Sequence, residues 1–406
     1  MKDEKIIIGV IGTGGRGQWH IGALCEMDDV EVAAVCDVYE DRVERAVSIV
    51  KQKTGKECAG YIDYRELLKR SDIKGVIIAS SWTSHIPIAV AAMKAGKYAG
   101  IEAGGAASVE ECWSMVRAYE ETGKPCMLLE NCCYGRTELA LLNMVNQNIF
   151  GELVHCQCGY EHDLRHSIGH GIDHRHYRSA NYINRNGELY PMHGLGPMAK
   201  ILKLNSKNRM LTLVSFSSKA RGMSAYVREN LPPEHQMQNV LFNLGDVVTT
   251  MIKCLNGETI LLTHDTSLPR PYSRAGRVQG TKGIWMEDNN SIHIENRSPG
   301  HTWEPFEPYM KEYEHPLWQD YFRQGIKESG HGGMDYLVIR AFVEAVRDGT
   351  QTPIDVYDTA SWVAVTCLSE ESIQLGGNAV VIPDFTSGKW FDGSLIRDTQ
   401  SKYSLE

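Results

Sequence analysis

The strongest constraint on this chain lies at its start. The apolar run Ile6–Ile11 leads directly into Gly12-Thr13-Gly14-Gly15-Arg16-Gly17, where a helical segment opens. In a G-x-G-x-x-G turn between strand and helix, Gly12 permits the tight turn. Gly14 lets a pyrophosphate approach the backbone, and Gly17 lets the helix pack close to the strand. The helix N-terminus then offers free N–H groups and a positive dipole end to the anion. Gly15 and Arg16 complete the turn as candidate cofactor-binding residues. Asp37 ends the second strand-like run, 20 residues beyond Gly17, where a carboxylate would hold the adenosine ribose hydroxyls. The same charge would repel a 2′-phosphate, so the expected cofactor is NAD rather than NADP.

The surrounding pattern agrees. Ile6–Ile11, Val30–Cys36, Glu57–Tyr61, Gly75–Ala79, Tyr98–Ile101 and Cys126–Leu129 read as strands. Helical periods at Arg42–Val50, Ile86–Ala95 and Val109–Tyr119 lie among them. Such alternation specifies a doubly wound parallel sheet covered on both faces. The expected first domain is 1–150. Beyond Gly151 the rhythm changes to period two, in Val154–Tyr160, Met210–Phe216, Val247–Cys254, Thr259–His264 and Ile284–Glu287, with few helices between them. A second domain, 151–406, with an antiparallel or mixed sheet is expected. Its last helices, around Val338–Val346 and Tyr357–Ile373, are placed to pack back on the first domain.

Composition narrows the class of partner. The 406 residues carry 42 basic and 51 acidic side chains, a formal net charge of −9. Nucleic acid and anionic membrane surfaces are poor partners for such a chain. No apolar run approaches the roughly 18 residues of a membrane span. Met1-Lys2-Asp3-Glu4-Lys5 runs straight into the first strand, without the layout of a signal peptide. The eleven cysteines are odd in number and scattered, so reduced thiols are expected. A cytoplasmic protein follows, unless an export signal was removed beforehand.

Two loops follow parallel strands at the edge where the cofactor is expected to lie. Ser80-Ser81-Trp82-Thr83-Ser84-His85 offers Trp82 and His85 as cofactor contacts, and Glu102-Ala103-Gly104-Gly105 offers Glu102. In the second domain, Glu188-Leu189-Tyr190-Pro191-Met192-His193-Gly194-Leu195-Gly196-Pro197 crowds Gly and Pro just before a helical period. Tyr190 and His193 are expected at a loop-to-helix entry that presents side chains rather than burying them. Histidine exchanges protons near neutrality and tyrosine does so when its pKa is lowered, so both are candidate acid–base residues. His155, His162, His166, His170, His174 and His176 fall within 22 residues, with Asp163 and Asp173 among them. Gly169 and Gly171 break any helix that would align them, and a solvated polar loop without a metal is the expected reading.

These features resemble the glucose–fructose oxidoreductase, inositol dehydrogenase and MocA superfamily, which joins a Rossmann domain to an α/β domain with an open, mainly antiparallel sheet. Its usual dehydrogenases carry Glu-Lys-Pro after the fifth strand, and here the lysine position is Ala103. The Tyr190–Pro197 segment looks like glycoside hydrolase family 109, the NAD-dependent α-N-acetylgalactosaminidases. Glu130–Arg136, Tyr160–Arg165, Arg270–Arg274, Gly330–Asp335 and Pro383–Phe385 are similar to the same family. The resemblance implies active-site roles for Tyr160, Tyr190, His193 and Tyr272, and a cofactor contact for Asn131. It also implies glycoside cleavage by oxidation at C3, loss of the C2 proton, elimination, water addition and re-reduction. Such NAD-dependent glycosidases are exceptions to the two-carboxylate rule. An NAD-dependent sugar or cyclitol dehydrogenase and a catalytically silent sugar-binding protein with structural NAD are the alternatives. An open sheet face, and the superfamily's habit of pairing through it, predict a homodimer or a dimer of dimers.

Overall fold

A computed structural model describes residues 5–326, 330–397 and 400–406. The chain divides into two compact units. The first comprises residues 1–134, 321–360 and 393–406, and the second 135–320 and 361–392. Residues beyond 320 are thus shared between the units.

In the first unit, strands and helices alternate. They are β1 (Ile6–Ile11), α1 (Gly15–Cys25), β2 (Val30–Cys36), α2 (Glu40–Thr54), β3 (Ala59–Tyr61), α3 (Tyr64–Leu68), β4 (Gly75–Ile78), α4 (Trp82–Lys94), β5 (Tyr98–Ile101), α5 (Val109–Thr122) and β6 (Cys126–Leu128). All pairings are parallel, in the order β3-β2-β1-β4-β5-β6. The order reverses between β1 and β4, and ligands of such sheets bind beyond the carboxyl ends of the strands at that point. Ile8, Val10, Val35, Ile77 and Ile78 are completely or almost completely buried, as a sheet covered on both faces requires.

The second unit opens with α6 (Arg136–Asn146), β7 (Leu153–Glu161), α7 (Arg165–Gly169), α8 (Arg178–Asn184), α9 (Met192–Ile201), β8 (Met210–Ser217) and α10 (Gly222–Asn230). Then come β9 (Val247–Cys254), β10 (Thr259–Asp265), β11 (Arg277–Gly280), β12 (Gly283–Met286), β13 (Ser291–Ile294) and β14 (Glu304–Pro305). The chain continues through α11 (Glu307–Glu312), α12 (Pro316–Arg323), α13 (Met334–Asp348), α14 (Val356–Gln374), β15 (Val380–Val381) and α15 (Lys389–Asp392). The sheet runs β14-β13-β12-β11-β7-β10-β9-β8-β15 and is antiparallel except for the β7–β10 pair. The expectation of few helices between these strands does not hold. Helices α7 to α10 intervene, and they are short because Gly, Pro and Asn interrupt their periods.

Within α13, Phe342 lies over the first sheet, where added Cβ atoms at Gly75 and Gly100 would meet its ring at 3.3 and 3.2 Å. In the second unit α9 lies against β7 with backbone nearly touching backbone. A Cβ on Gly194 would stand 2.5 Å from the Gly159 nitrogen and 2.9 Å from the Cys158 Cβ. No described helix is long and apolar enough to cross a membrane. Gly194→Ala should therefore lower Tm by several degrees, because overpacking costs about 1–3 kcal/mol. Calorimetry showing an unchanged Tm would refute the close approach.

Candidate active site

The glycine loop has the geometry its spacing demands. Gly12 has φ of +88°, and a Cβ there would strike the backbone of Ala79 and Ser80. A Cβ on Gly17 would lie 1.9 Å from the Gly12 carbonyl oxygen, so only glycine allows α1 to start here. By contrast, nothing lies within 4 Å of a Cβ built on Gly15, and Gly14 has only Arg42 Nη1 at 3.7 Å. The N-terminus of α1 has no capping side chain and no acid in its first turn. Asp37 accepts the Thr13 N–H at 2.7 Å and the Tyr39 N–H at 3.1 Å, so its carboxylate is fixed beside the loop. Open backbone donors and a fixed carboxylate are the fit that NAD requires.

The other candidates of this unit are largely buried. Trp82 and His85 are each 3% exposed. The indole of Trp82 fills the space over Gly104, where a Cβ would meet it at 2.2 Å. His85 Nε2 donates to the Ser80 carbonyl at 3.1 Å, and burial pushes its pKa down to about 4. Glu102 accepts from Arg16 Nε at 2.7 Å and His20 Nε2 at 2.5 Å. These partners hold its carboxyl below the usual carboxylate range despite burial. Asn131 is buried, and its Nδ2 donates to Asp335 at 2.7 Å.

In the second unit, four residues expected at the site come together. Tyr160, near the end of β7, has its ring centroid 4.5 Å from that of Tyr190, 5.5 Å from His193 and 6.3 Å from Tyr272. Tyr190 and His193 meet edge to face at 4.7 Å. The expected presentation of Tyr190 needs correction. It is only 5% exposed, because it is packed against Tyr160 beneath the entry to α9. His193 is half-buried in the first turn of α9, and Tyr272 is 47% exposed on its loop. His193 also lines a small pocket with Glu138, Arg274 and Glu287.

Three neighbours were not among the active-site candidates read from the sequence. His162 Nδ1 shares a hydrogen bond with the Tyr160 hydroxyl at 3.2 Å, and its ring lies 5.1 Å from Tyr272. Burial and the Arg178 charge lower its pKa, so it is largely neutral at pH 7. Arg178 places its guanidinium 5.1 Å from the Tyr190 ring centroid. The rest of the histidine cluster stands apart from this group. His170 and His235 donate to Asp173 at 3.2 and 3.1 Å. His155 bonds to Thr259 on the sheet at 2.9 Å.

The third neighbour is Glu188. It is fully buried, and burial pushes its pKa up to about 8, an effect that the backbone N–H of Tyr190 offsets only in part. A single acid two residues before Tyr190 carries no signal in sequence. Because the unfolded carboxyl ionises near pH 4.5 and the folded one near 8, folding keeps a proton that unfolding releases. The stability this group contributes is complete below pH 4.5 and is lost as pH rises to 8, by at most about 1.4 kcal/mol per pH unit. Glu188→Gln should flatten the fall of Tm between pH 5 and 8. An equally steep fall in the variant would show that Glu188 does not carry it.

Comparison with known proteins agrees with this geometry. Residues 6–129 match the oxidoreductase family with an NAD-binding Rossmann fold, and residues 134–392 match the C-terminal domain of glycosyl hydrolase 109. A glycosyl hydrolase family 109 protein of Stenotrophomonas maltophilia is 44% identical, over 99% of this chain and 94% of its own. An α-N-acetylgalactosaminidase of Tannerella forsythia is 41% identical, over 96% of this chain and 88% of its own. Among solved structures, an NAD-binding oxidoreductase from Klebsiella pneumoniae shares the fold with a TM-score of 0.70 at 17% identity, covering 93% of this chain and 99% of its own. A levoglucosan dehydrogenase in complex with NADH does so with a TM-score of 0.67 at 18% identity, covering 94% of this chain and all of its own. With an NAD-binding domain at one end and the family's own domain over most of the remainder, the chain belongs to glycoside hydrolase family 109.

Proposed function

We propose that this enzyme removes terminal α-N-acetylgalactosamine from glycosides, with NAD kept through the cycle. The observation that carries the reading is the cluster of Tyr160, Tyr190 and His193, three proton-handling groups within 4.5–5.5 Å of one another by ring centroid. When bound, NAD supplies reversible removal of hydride from sugar C3, which makes the C2 hydrogen acidic. The protein's residues then have protons to move and charge to hold. Tyr160 is the C2 base, and its bond to the largely neutral His162 gives the phenol proton an acceptor. His193 exchanges the proton of the C3 hydroxyl or of the departing oxygen. Tyr190 and Tyr272 orient hydroxyls and stabilise the enolate oxygen. Arg178, over the Tyr190 ring, adds positive charge where that oxygen becomes anionic. Ala103 stands where related dehydrogenases carry a lysine, which favours hydrolysis over net oxidation.

Cleavage of an aryl α-N-acetylgalactosaminide without added cofactor tests the reading. Tyr160→Phe and His193→Ala should each slow turnover by about 10²–10⁴-fold while bound NAD is unchanged. Failure of wild-type protein carrying NAD on a panel of α- and β-glycosides would refute it.

We also propose that the second sheet pairs two or four copies of the chain. The row Val214, Met251 and Leu261 runs across β8, β9 and β10, and Phe216 beside it is 61% exposed. Such a face favours burial against a partner. All eleven cysteines are free, which favours a reducing compartment and the expected cytoplasmic location. Light scattering should give a multiple of 45.5 kDa, and monomers alone would refute pairing.

A further inference from the structure

Tyr272 is the most exposed of the four residues brought together at the site, at 47%. Its ring meets the rings of His162 and Tyr160 edge on, at 5.1 and 6.3 Å. A side chain with so much of its surface in water takes its place mainly from its backbone. The loop between β10 and β11 that carries it is tied down after the ring. Glu161 and Ser273 exchange backbone hydrogen bonds at 2.9 and 3.1 Å, an antiparallel bridge that sets Tyr272 opposite His162. Ser273 Oγ donates to Asp288 Oδ1 at 2.6 Å and accepts the Ala275 N–H at 2.8 Å.

Before the ring, the anchor is Arg270. Its Nη1 donates to Asp265 Oδ2 at 2.7 Å and its Nη2 to Glu161 Oε2, so one guanidinium spans two carboxylates. The two acids end β10 and β7 and stand side by side in register on these parallel strands. Like charges in that arrangement repel. Burial pushes the Glu161 carboxyl up against the pull of Arg270, with Asp288 and Asp265 adding to the rise. Apolar residues often stabilise such a place as well or better. The acids are explained if their work is to seat the guanidinium two residues before Tyr272. There, two charge-assisted hydrogen bonds from one planar group fix direction as well as distance. Glu161 follows Tyr160 directly, so the same grip joins the end of β7 to the loop of Tyr272.

We propose that Arg270, seated on Glu161 and Asp265, is a positioning residue for Tyr272: it holds the loop so that the tyrosine stays against His162 and Tyr160, where it meets the sugar. The proposal rests on the reading of Tyr272 as a residue that orients substrate hydroxyls. Arg270 acts through the tyrosine and not on the reacting atoms. Its loss leaves the tyrosine in the chain but takes away its fixed place, and with it the orientation that a reacting sugar needs.

The test is a double-mutant cycle on the full chain, with kcat/KM read on an aryl α-N-acetylgalactosaminide. Arg270→Gln alone should lower kcat/KM about tenfold, the worth of one charge-assisted hydrogen bond. Added to Tyr272→Ala, it should cost less than about twofold more, because the side chain it positions is gone. Arg270→Lys keeps the charge without the two-pronged grip and should lie between wild type and Arg270→Gln. The ring is read directly by incorporating 3-fluorotyrosine, with the Tyr272 fluorine signal assigned as the one that Tyr272→Ala lacks. That signal should shift and narrow in Arg270→Gln as the ring gains freedom. If Arg270→Gln does not fold, Arg270→Lys carries the same cycle and the same signal. Equal losses with and without the Tyr272 side chain, or a fluorine signal unmoved in every folded variant, would overturn the proposal. Wild-type protein that cleaves no glycoside would refute the proposed activity instead, and the fluorine signal alone would then decide on Arg270.

Discussion

Between α9 and β7 there is no room for a side chain. The Gly194 α-carbon faces the Gly159 backbone so closely that one added carbon would stand 2.5 Å from its nitrogen. His193 immediately precedes one of these glycines and Tyr160 immediately follows the other. Closing the backbones together therefore sets the Tyr160 and His193 side chains beside each other, with Tyr190 packed on both. The same compression excludes water. Tyr160, Tyr190 and Glu188 are each at most 6% exposed, and in that setting the nearby Arg178 charge acts at greater strength than it would in solvent.

The cofactor unit meets a different electrostatic problem. On the proposed reading of the glycine loop, a pyrophosphate would be accepted close to two carboxylates, the largely buried Glu102 and the fully buried Asp335. The fold gives both carboxylates to Arg16, with His20 and His331 as further donors, so their charge is matched locally. On that reading, the anion would fall to the uncapped N-terminus of α1 and the ribose to Asp37, which two backbone N–H groups hold in place. Charge neutralisation and ligand recognition are thus assigned to different groups. A single guanidinium serving both would have to choose between them.

What could be read in the sequence is what depends on neighbours in the chain. Ile6–Ile11, Val30–Cys36 and Tyr98–Ile101 form strands with the expected bounds, because apolar runs flanked by turn residues are a local signal. The glycine loop and Asp37 were legible for the same reason. The short strands β11, β13 and β14 were not, since four or two residues carry too little period to stand out. Trp82 and His85 were read as cofactor contacts from their place after a parallel strand, and the packing of Trp82 over Gly104 is not legible in the local sequence. The Arg16–Asp335 pair spans 319 positions, and nothing in either segment announces the other. Glu188 was missed because an acid in a Gly-rich loop normally reaches water, and this one is enclosed. Tyr190, expected to be presented to solvent, is enclosed for the same cause.

The central claim is that protons at C2 are handled by side chains of the second unit while the hydride at C3 is returned. Hydrolysis of an aryl α-N-acetylgalactosaminide in heavy water reads both at once by NMR of the released sugar. Elimination and re-addition predict one deuterium at C2 with the original hydrogen kept at C3. A sugar released at the full rate with protium at C2 throughout would mean direct displacement at C1, and would contradict the account.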